Sequence, residues 1–148
     1  MNINLKGGII IWLRRDLRIK ENCIVHKAVK QEKKIIFCFI FDKNILDKLK
    51  TSSYRKCDTK SLTIDHRVGF LYQTIKEIKE QLLNIGSDLL TFHGDPVTII
   101  PEIANKFCAS SVYAANDYES YGLQRDNAIL KKLTALGIKF KQFKNQCI

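Results

Sequence analysis

Little punctuates this chain: 148 residues contain two prolines, seven glycines and one tryptophan. So small a share of Pro and Gly excludes collagen-like and low-complexity sequences, and an apolar content of 45% excludes a disordered chain. Long hydrophobic runs are also missing. The longest, Ile9 to Leu13 and Ile35 to Phe41, hold five and seven residues, far below the ~18 that a membrane span requires. No apolar stretch followed by small residues opens the chain, so a secretory signal is not expected. The five cysteines (Cys23, Cys38, Cys57, Cys108, Cys147) are odd in number and include no C-x-x-C pair. Paired zinc ligands are therefore lacking, and buried or idle thiols in a reducing cytoplasm are the expected state. The G-x-G-x-x-G and G-x-x-x-x-G-K patterns are absent, which argues against dinucleotide and nucleoside-triphosphate binding of the usual kinds.

What is present is the size and apolar content of one globular domain, able to bury about two-thirds of its unfolded surface. The net charge is +10, and it is uneven: residues 1 to 74 hold 16 basic and 7 acidic side chains, residues 75 to 148 hold 9 and 8. Lysine outnumbers arginine 19 to 6. Compositional drift toward A and T produces that bias by itself; a basic face for nucleic acid is the other reading.

Five short apolar segments alternate with segments of helical period. Ile9 to Leu13 and Ile35 to Phe41 do not alternate with polar residues, as suits strands buried on both faces. Leu89 to Phe92 and Val112 to Ala115 are shorter strands, and Ile138 to Phe143 alternates with Lys139 and Lys141 like an edge strand. Val68, Leu71, Ile75, Ile78, Leu82 and Ile85 fall at steps of three and four, predicting a helix over 63–85 with Gly86 as its left-handed cap. A second helix is expected over 122–136, with Ile129, Leu133 and Leu136 inward and Gly137 as stop, and a third over Asn22 to Lys30. Pro101 would disturb a helix begun at Pro96, so a turn at 94–97 and a helix over 98–107 capped by Thr98 are expected. Lys43 to Ser61 reads as a surface loop with a helical turn at Ile45 to Leu49. Alternating strands and helices predict a three-layer, Rossmann-like α/β fold with a parallel sheet.

Ligands in such sheets bind beyond the carboxyl ends of the strands, where strand order reverses. The residues there are Arg14 to Arg18 after the first strand, Asp42 after the second, His93 to Asp95 after the third and Asn116 to Gly122 after the fourth. Asp117 and Glu119, two apart in extended backbone, can aim both carboxylates into the crevice, or can be ordinary loop residues. Arg67, near a helix start where a cation is locally unfavoured, either meets a polar partner or is simply solvated. The Arg14 to Arg18 run can bind an anion, or Asp16 can pair internally with a neighbouring arginine to give a rigid corner with no ligand. His26, His66 and His93 are scattered, no nucleophile-base constellation stands out, and Trp12 reads as core.

Four ordered motifs carry a resemblance. Trp12-Leu13-Arg14-Arg15-Asp16-Leu17-Arg18, then Glu21-Asn22, resembles the W-x-R-R-D-L-R-x-x-D-N opening of the DNA photolyase and cryptochrome family. Arg67-Val68-Gly69-Phe70-Leu71 is similar to its R-x-x-F-L helix start, and Gly86-Ser87 through Gly94-Asp95-Pro96 to its G-S-x-L…G-x-P segment. Asp117 through Asp126 is similar to its D-x-E-P-Y-G-x-x-R-D stretch, with Ser120 in place of Pro. The resemblance implies the amino-terminal domain of that family: a five-stranded parallel sheet of order 3-2-1-4-5 holding an antenna chromophore. In the family the antenna passes light energy to a reduced FAD, which splits pyrimidine dimers in DNA. FAD and most DNA contacts belong to a carboxy-terminal helical domain.

By position, the resemblance assigns chromophore contacts to Phe39, Phe41, Asp42, Arg67, Asp117 and Glu119, and an architectural or interdomain role to Arg14, Arg15, Asp16 and Arg18. Tyr121 and Gly122 bring the pattern closer to a deazaflavin site than to a methenyl-folate or flavin site. Residues 1–148 are thus expected to form an antenna domain without the FAD-bearing domain, a short or remnant photolyase product that is not catalytic alone. It is expected to be monomeric and cytoplasmic and to meet DNA only through a helical domain or partner chain. A free-standing small-molecule or nucleotide-binding module and a basic nucleic-acid-binding protein are the alternatives.

Overall fold

The computed structural model describes residues 4–46 and 66–144. Five strands run β1 (Ile9–Leu13), β2 (Ile35–Asp42), β3 (Leu89–Gly94), β4 (Ser111–Ala115) and β5 (Lys139–Phe143). Every pairing is parallel and the sheet order is β3-β2-β1-β4-β5. The helices are α1 (Cys23–Val29), α2 (His66–Asn84), α3 (Pro96–Lys106) and α4 (Ser120–Ala135). A parallel strand must return by a crossover, which is why each strand is followed by a helix or by a connection of comparable length.

The unbroken apolar runs of β1 and β2 have a direct cause. Successive side chains point to opposite faces, and both faces are covered. Ile9, Ile11, Leu13, Phe37, Phe39 and Phe41 pack with Ile24 and Ala28 of α1 and Ile75, Ile78 and Leu82 of α2. Ile10, Trp12, Cys38 and Ile40 pack with Ile100, Ile103 and Ala104 of α3 and Ile129 and Leu133 of α4. Each fully buried aliphatic side chain contributes about 1.5–3 kcal/mol relative to exposure. β5 is the wet edge, with Lys139 and Lys141 exposed.

The helix ends follow local chemistry. Asn22 caps α1 by accepting the Ile24 N–H at 2.9 Å. Gly86 and Gly137 take positive φ (81° and 72°) just past α2 and α4, the left-handed stop that a side chain would resist. α3 differs from expectation. It begins at Pro96, not at 98, because the Asp95 carboxylate accepts the Val97 N–H at 3.1 Å and Pro96 supplies a ready-made first turn. Pro101 therefore lies inside the helix, buried against the core, where packing outweighs its missing N–H. Ile85 and Leu136 are exposed rather than inward, since both stand one residue or more beyond the last helical residue. β3 runs two residues longer than expected, through His93 and Gly94. Residues 43–46 are helical, and the rest of the expected Lys43 to Ser61 loop lies outside the described residues. Among the cysteines, Cys38 is buried and free and Cys108 exposed and free. Cys23 is disulfide-bonded, contrary to the expectation of idle thiols throughout. No helix of the described residues is long and apolar enough to cross a membrane.

Candidate functional site

Because the strands are parallel, all their carboxyl ends share one edge, and strand order reverses between β1 and β4. A cleft of about 690 Å³ opens there, within the ~300–1,000 Å³ typical of small-molecule sites. Arg14 to Arg18 line it from the β1 side, Ala115 to Tyr118 from the end of β4, and Phe70 and Thr74 from the first turns of α2. Phe70 is 75% and Tyr118 67% exposed. Two large aromatic side chains thus stand at the cleft without burying themselves in the core.

Behind the cleft lies a buried charge network. Arg14 donates twice through Nη1 to the Asp126 carboxylate, at 2.7 and 2.8 Å. Asp126 also accepts from Arg125 Nε at 3.1 Å and from Gln142 Nε2 at 2.7 Å. Arg125 reaches Asp117 at 3.0 Å and lies 3.8 Å from Asp42. Both guanidinium groups lie against the Trp12 ring, 4.6 Å (Arg14) and 5.1 Å (Arg125) from its centroid, a cation–π arrangement strengthened by burial. Burial pulls the Arg14 pKa below that of an ordinary guanidinium in spite of Asp126. Arg14 Nη2 is buried with no hydrogen-bond partner among the described residues.

The turn after β1 is braced differently from expectation. Asp16 accepts the backbone N–H of Arg14 at 3.2 Å and Asn22 Nδ2 at 3.3 Å, rather than pairing with a neighbouring guanidinium. Arg14 is drawn inward to Asp126, while Arg15 pairs with Glu119 at 2.7 Å on the surface. Burial raises the Asp16 pKa, against the hydrogen bonds that it accepts. Burial acts the same way on Asp117, but the Glu119 N–H and the fields of Arg125, Arg14 and Arg15 outweigh it and hold its pKa below the usual carboxylate range.

The expected contacts separate into three places. Asp117 lines the cleft, whereas Glu119, the N-cap of α4 without a side-chain capping bond, is not among the lining residues and pairs with Arg15. Phe39 and Phe41 are buried beneath α1 and α2, edge to face at 4.9 Å, with Tyr72 stacked on Phe41 at 4.5 Å. Asp42 points to the other face, where Tyr121 donates to it at 2.7 Å. The alternation of β2 separates Phe41 from Asp42 and gives them different neighbours. Arg67 belongs to the first turn of α2, and its side chain lies outside the described residues. Of the architectural set, Arg14, Arg15, Asp16 and Arg18 all line the cleft.

Burial and the hydrogen bond to Asp42 push the Tyr121 phenol up to about 12. A raised folded-state value stabilises below the unfolded tyrosine pKa of ~10 and is lost as pH rises through about 12. In an ultraviolet phenolate titration, the ionisation step that Tyr121→Phe removes should lie near 12; loss of a step near the ordinary ~10 instead would show that the Tyr121–Asp42 bond does not form.

In the sequence Phe70 and Tyr118 stand out only as motif residues, yet Phe70 carries a signal of its own. Phe70 falls one position off the apolar stripe that continues through Leu71, Ile75 and Ile78, so the helix turns it away from the core. Arg125 and Asp126 carry the opposite signal: they extend the inward stripe of Ile129 and Leu133 by one turn with charged residues.

The family model described as DNA photolyase matches residues 9–148. The deoxyribodipyrimidine photo-lyase of Synechococcus sp. is 31% identical over 144 residues, covering 97% of this chain and 27% of that protein. Cryptochrome DASH of Synechocystis sp. is 27% identical, covering 91% of this chain and 26% of that protein. Among solved structures, Synechocystis cryptochrome superposes with a TM-score of 0.78 at 26% identity, over 95% of this chain and 28% of that one. An archaeal photolyase from Sulfolobus tokodaii with two FAD molecules gives a TM-score of 0.74 at 26% identity, over 93% of this chain and 29% of that one. The chain thus spans little more than a quarter of the length of these relatives.

Proposed function

The chain belongs to the DNA photolyase family, and from that membership we propose that it is a light-harvesting domain whose β1/β4 cleft holds a planar antenna chromophore. One observation carries the reading: at the topological reversal, a cleft of about 690 Å³ combines two exposed aromatic side chains with arginine donors and a carboxylate acceptor. The residues fit such a group. A flavin-like or deazaflavin-like ring system offers two π-faces and an edge that both donates and accepts hydrogen bonds. Phe70 and Tyr118 suit the faces, Asp117 suits a ring N–H, and the exposed Arg15 guanidinium suits a carbonyl edge. When bound, the chromophore would absorb near-ultraviolet or blue light. The Sulfolobus photolyase, described with two FAD molecules and the implication of a novel light-harvesting cofactor, supports the presence of a second chromophore.

By this reading Phe39 and Phe41 support the sheet beneath α1 and α2, and Glu119 holds Arg15, which lines the cleft. A reduced deazaflavin is favoured over methenyl-folate or flavin by the Tyr121-Gly122 pattern. These residues collect light, and the splitting of pyrimidine dimers falls to an FAD-bearing helical domain or partner. The test is uptake: purified chain is offered reduced deazaflavin, methenyl-folate and flavin in turn, and visible absorbance is followed through gel filtration. Stoichiometric retention of one of them supports the reading. A colourless chain that instead binds DNA with a steep salt dependence would replace it with the basic nucleic-acid-binding alternative.

A further inference from the structure

We propose that Gly122 is a positioning residue of the cleft: its bare Cα leaves the space in which the Asp117 carboxylate is held between the Glu119 N–H and Arg125. The inference rests on the chromophore reading for its consequence, though not for its geometry.

Gly122 is buried in the first turn of α4, and its φ is unremarkable, so backbone freedom is not the reason for glycine here. The reason is contact. A Cβ at this position would fall inside the van der Waals envelope of the Asp117 carboxylate, against its carbon and both oxygens. Asp117 Oδ1 accepts the Glu119 N–H at 3.1 Å and Oδ2 accepts Arg125 Nη2 at 3.0 Å. The carboxylate therefore sits over the amino end of α4, where the helix field favours a negative charge. These bonds leave lone pairs on both oxygens for a further donor. Any side chain at 122 must expel the carboxylate. Since the colliding atoms are the end of a side chain and not backbone, the helix can stay while Asp117 moves. Position 122 thus decides whether the cleft presents a fixed acceptor or a loose one.

Two readouts test this. The first needs no chromophore: carbon-detected NMR titration of the Asp117 carboxylate in the wild type and in Gly122→Ala. The wild-type group should titrate below the ordinary aspartate range and should move back toward it in Gly122→Ala, while the urea midpoint confirms that the variant is folded. The second is a double-mutant cycle on chromophore affinity. Gly122→Ala should weaken binding on the order of tenfold, the scale of one hydrogen bond to a charged group. In an Asp117→Ala background it should weaken binding no further, because the residue acts through that carboxylate. An Asp117 titration unmoved by Gly122→Ala, or additive losses in the cycle, would overturn the proposal. If the wild type takes up no chromophore while the titration shifts as expected, the positioning role stands and the antenna reading fails.

Discussion

Asp126→Ala is expected to cost about 3–5 kcal/mol of folding stability, the scale of breaking a buried ion pair from one side. The carboxylate collects two bonds from Arg14, one from Arg125 and one from Gln142. Arg14 and Asp126 side chains are only 9% and 4% exposed. Without it, two guanidinium groups remain against Trp12 with no shared counter-ion, and water cannot easily reach them. A domain has only about 5–15 kcal/mol in total, so this one change should move the urea midpoint far. Trp12, the single tryptophan and itself buried among these groups, provides the fluorescence signal. The surface pair Arg15–Glu119 is the internal control. It is as short, at 2.7 Å, but its side chains are 74% and 67% exposed, so Arg15→Ala should cost no more than about 1 kcal/mol. Equal losses in the two variants would mean that the inner network is solvated and does not brace the cleft as described.

The second large effect concerns binding. Phe70→Ala and Tyr118→Ala should each weaken chromophore affinity by roughly tenfold or more, as loss of an aromatic stacking surface costs on the order of 1–3 kcal/mol per planar ring. Both side chains are mostly exposed, so their removal should leave the urea midpoint within about 0.5 kcal/mol of the parent. Affinity and stability therefore separate here, whereas at Asp126 they fall together. The check is a fluorescence-quenching titration of each variant with the chromophore that the parent retains. Undiminished affinity in both variants would place the ligand elsewhere on the sheet edge.

Much of the fold was legible because the core strands read as unbroken apolar runs and the long helices as regular stripes. Strand order was legible only through the family resemblance, and that order set the motif after β1 and the motif after β4 beside one reversal. The start of α3 was not legible, since Asp95 and Thr98 are both acceptable caps and only the packing of Pro101 distinguishes them. The site was legible by region more than by residue. Asp117 and Glu119 could be found because they follow a strand. Phe39 and Phe41 could be found as aromatics, but the alternation that buries them under α1 and α2 while turning Asp42 toward Tyr121 is a property of the packed sheet. The Arg14–Asp126 pair spans 112 positions, and no local pattern announces it, except that charges occupy the inward face of α4 where the stripe calls for apolar residues.

The central claim is that the β1/β4 cleft of this chain holds an antenna chromophore. It is tested most directly by titrating the intact chain with reduced deazaflavin, methenyl-folate and flavin under anaerobic conditions, and repeating the titration with Phe70→Ala and Asp117→Ala. The account predicts saturable binding of one of the three at one molecule per chain, weakened in both variants. Failure of the folded parent chain to bind any of them, or binding that neither substitution disturbs, would contradict it.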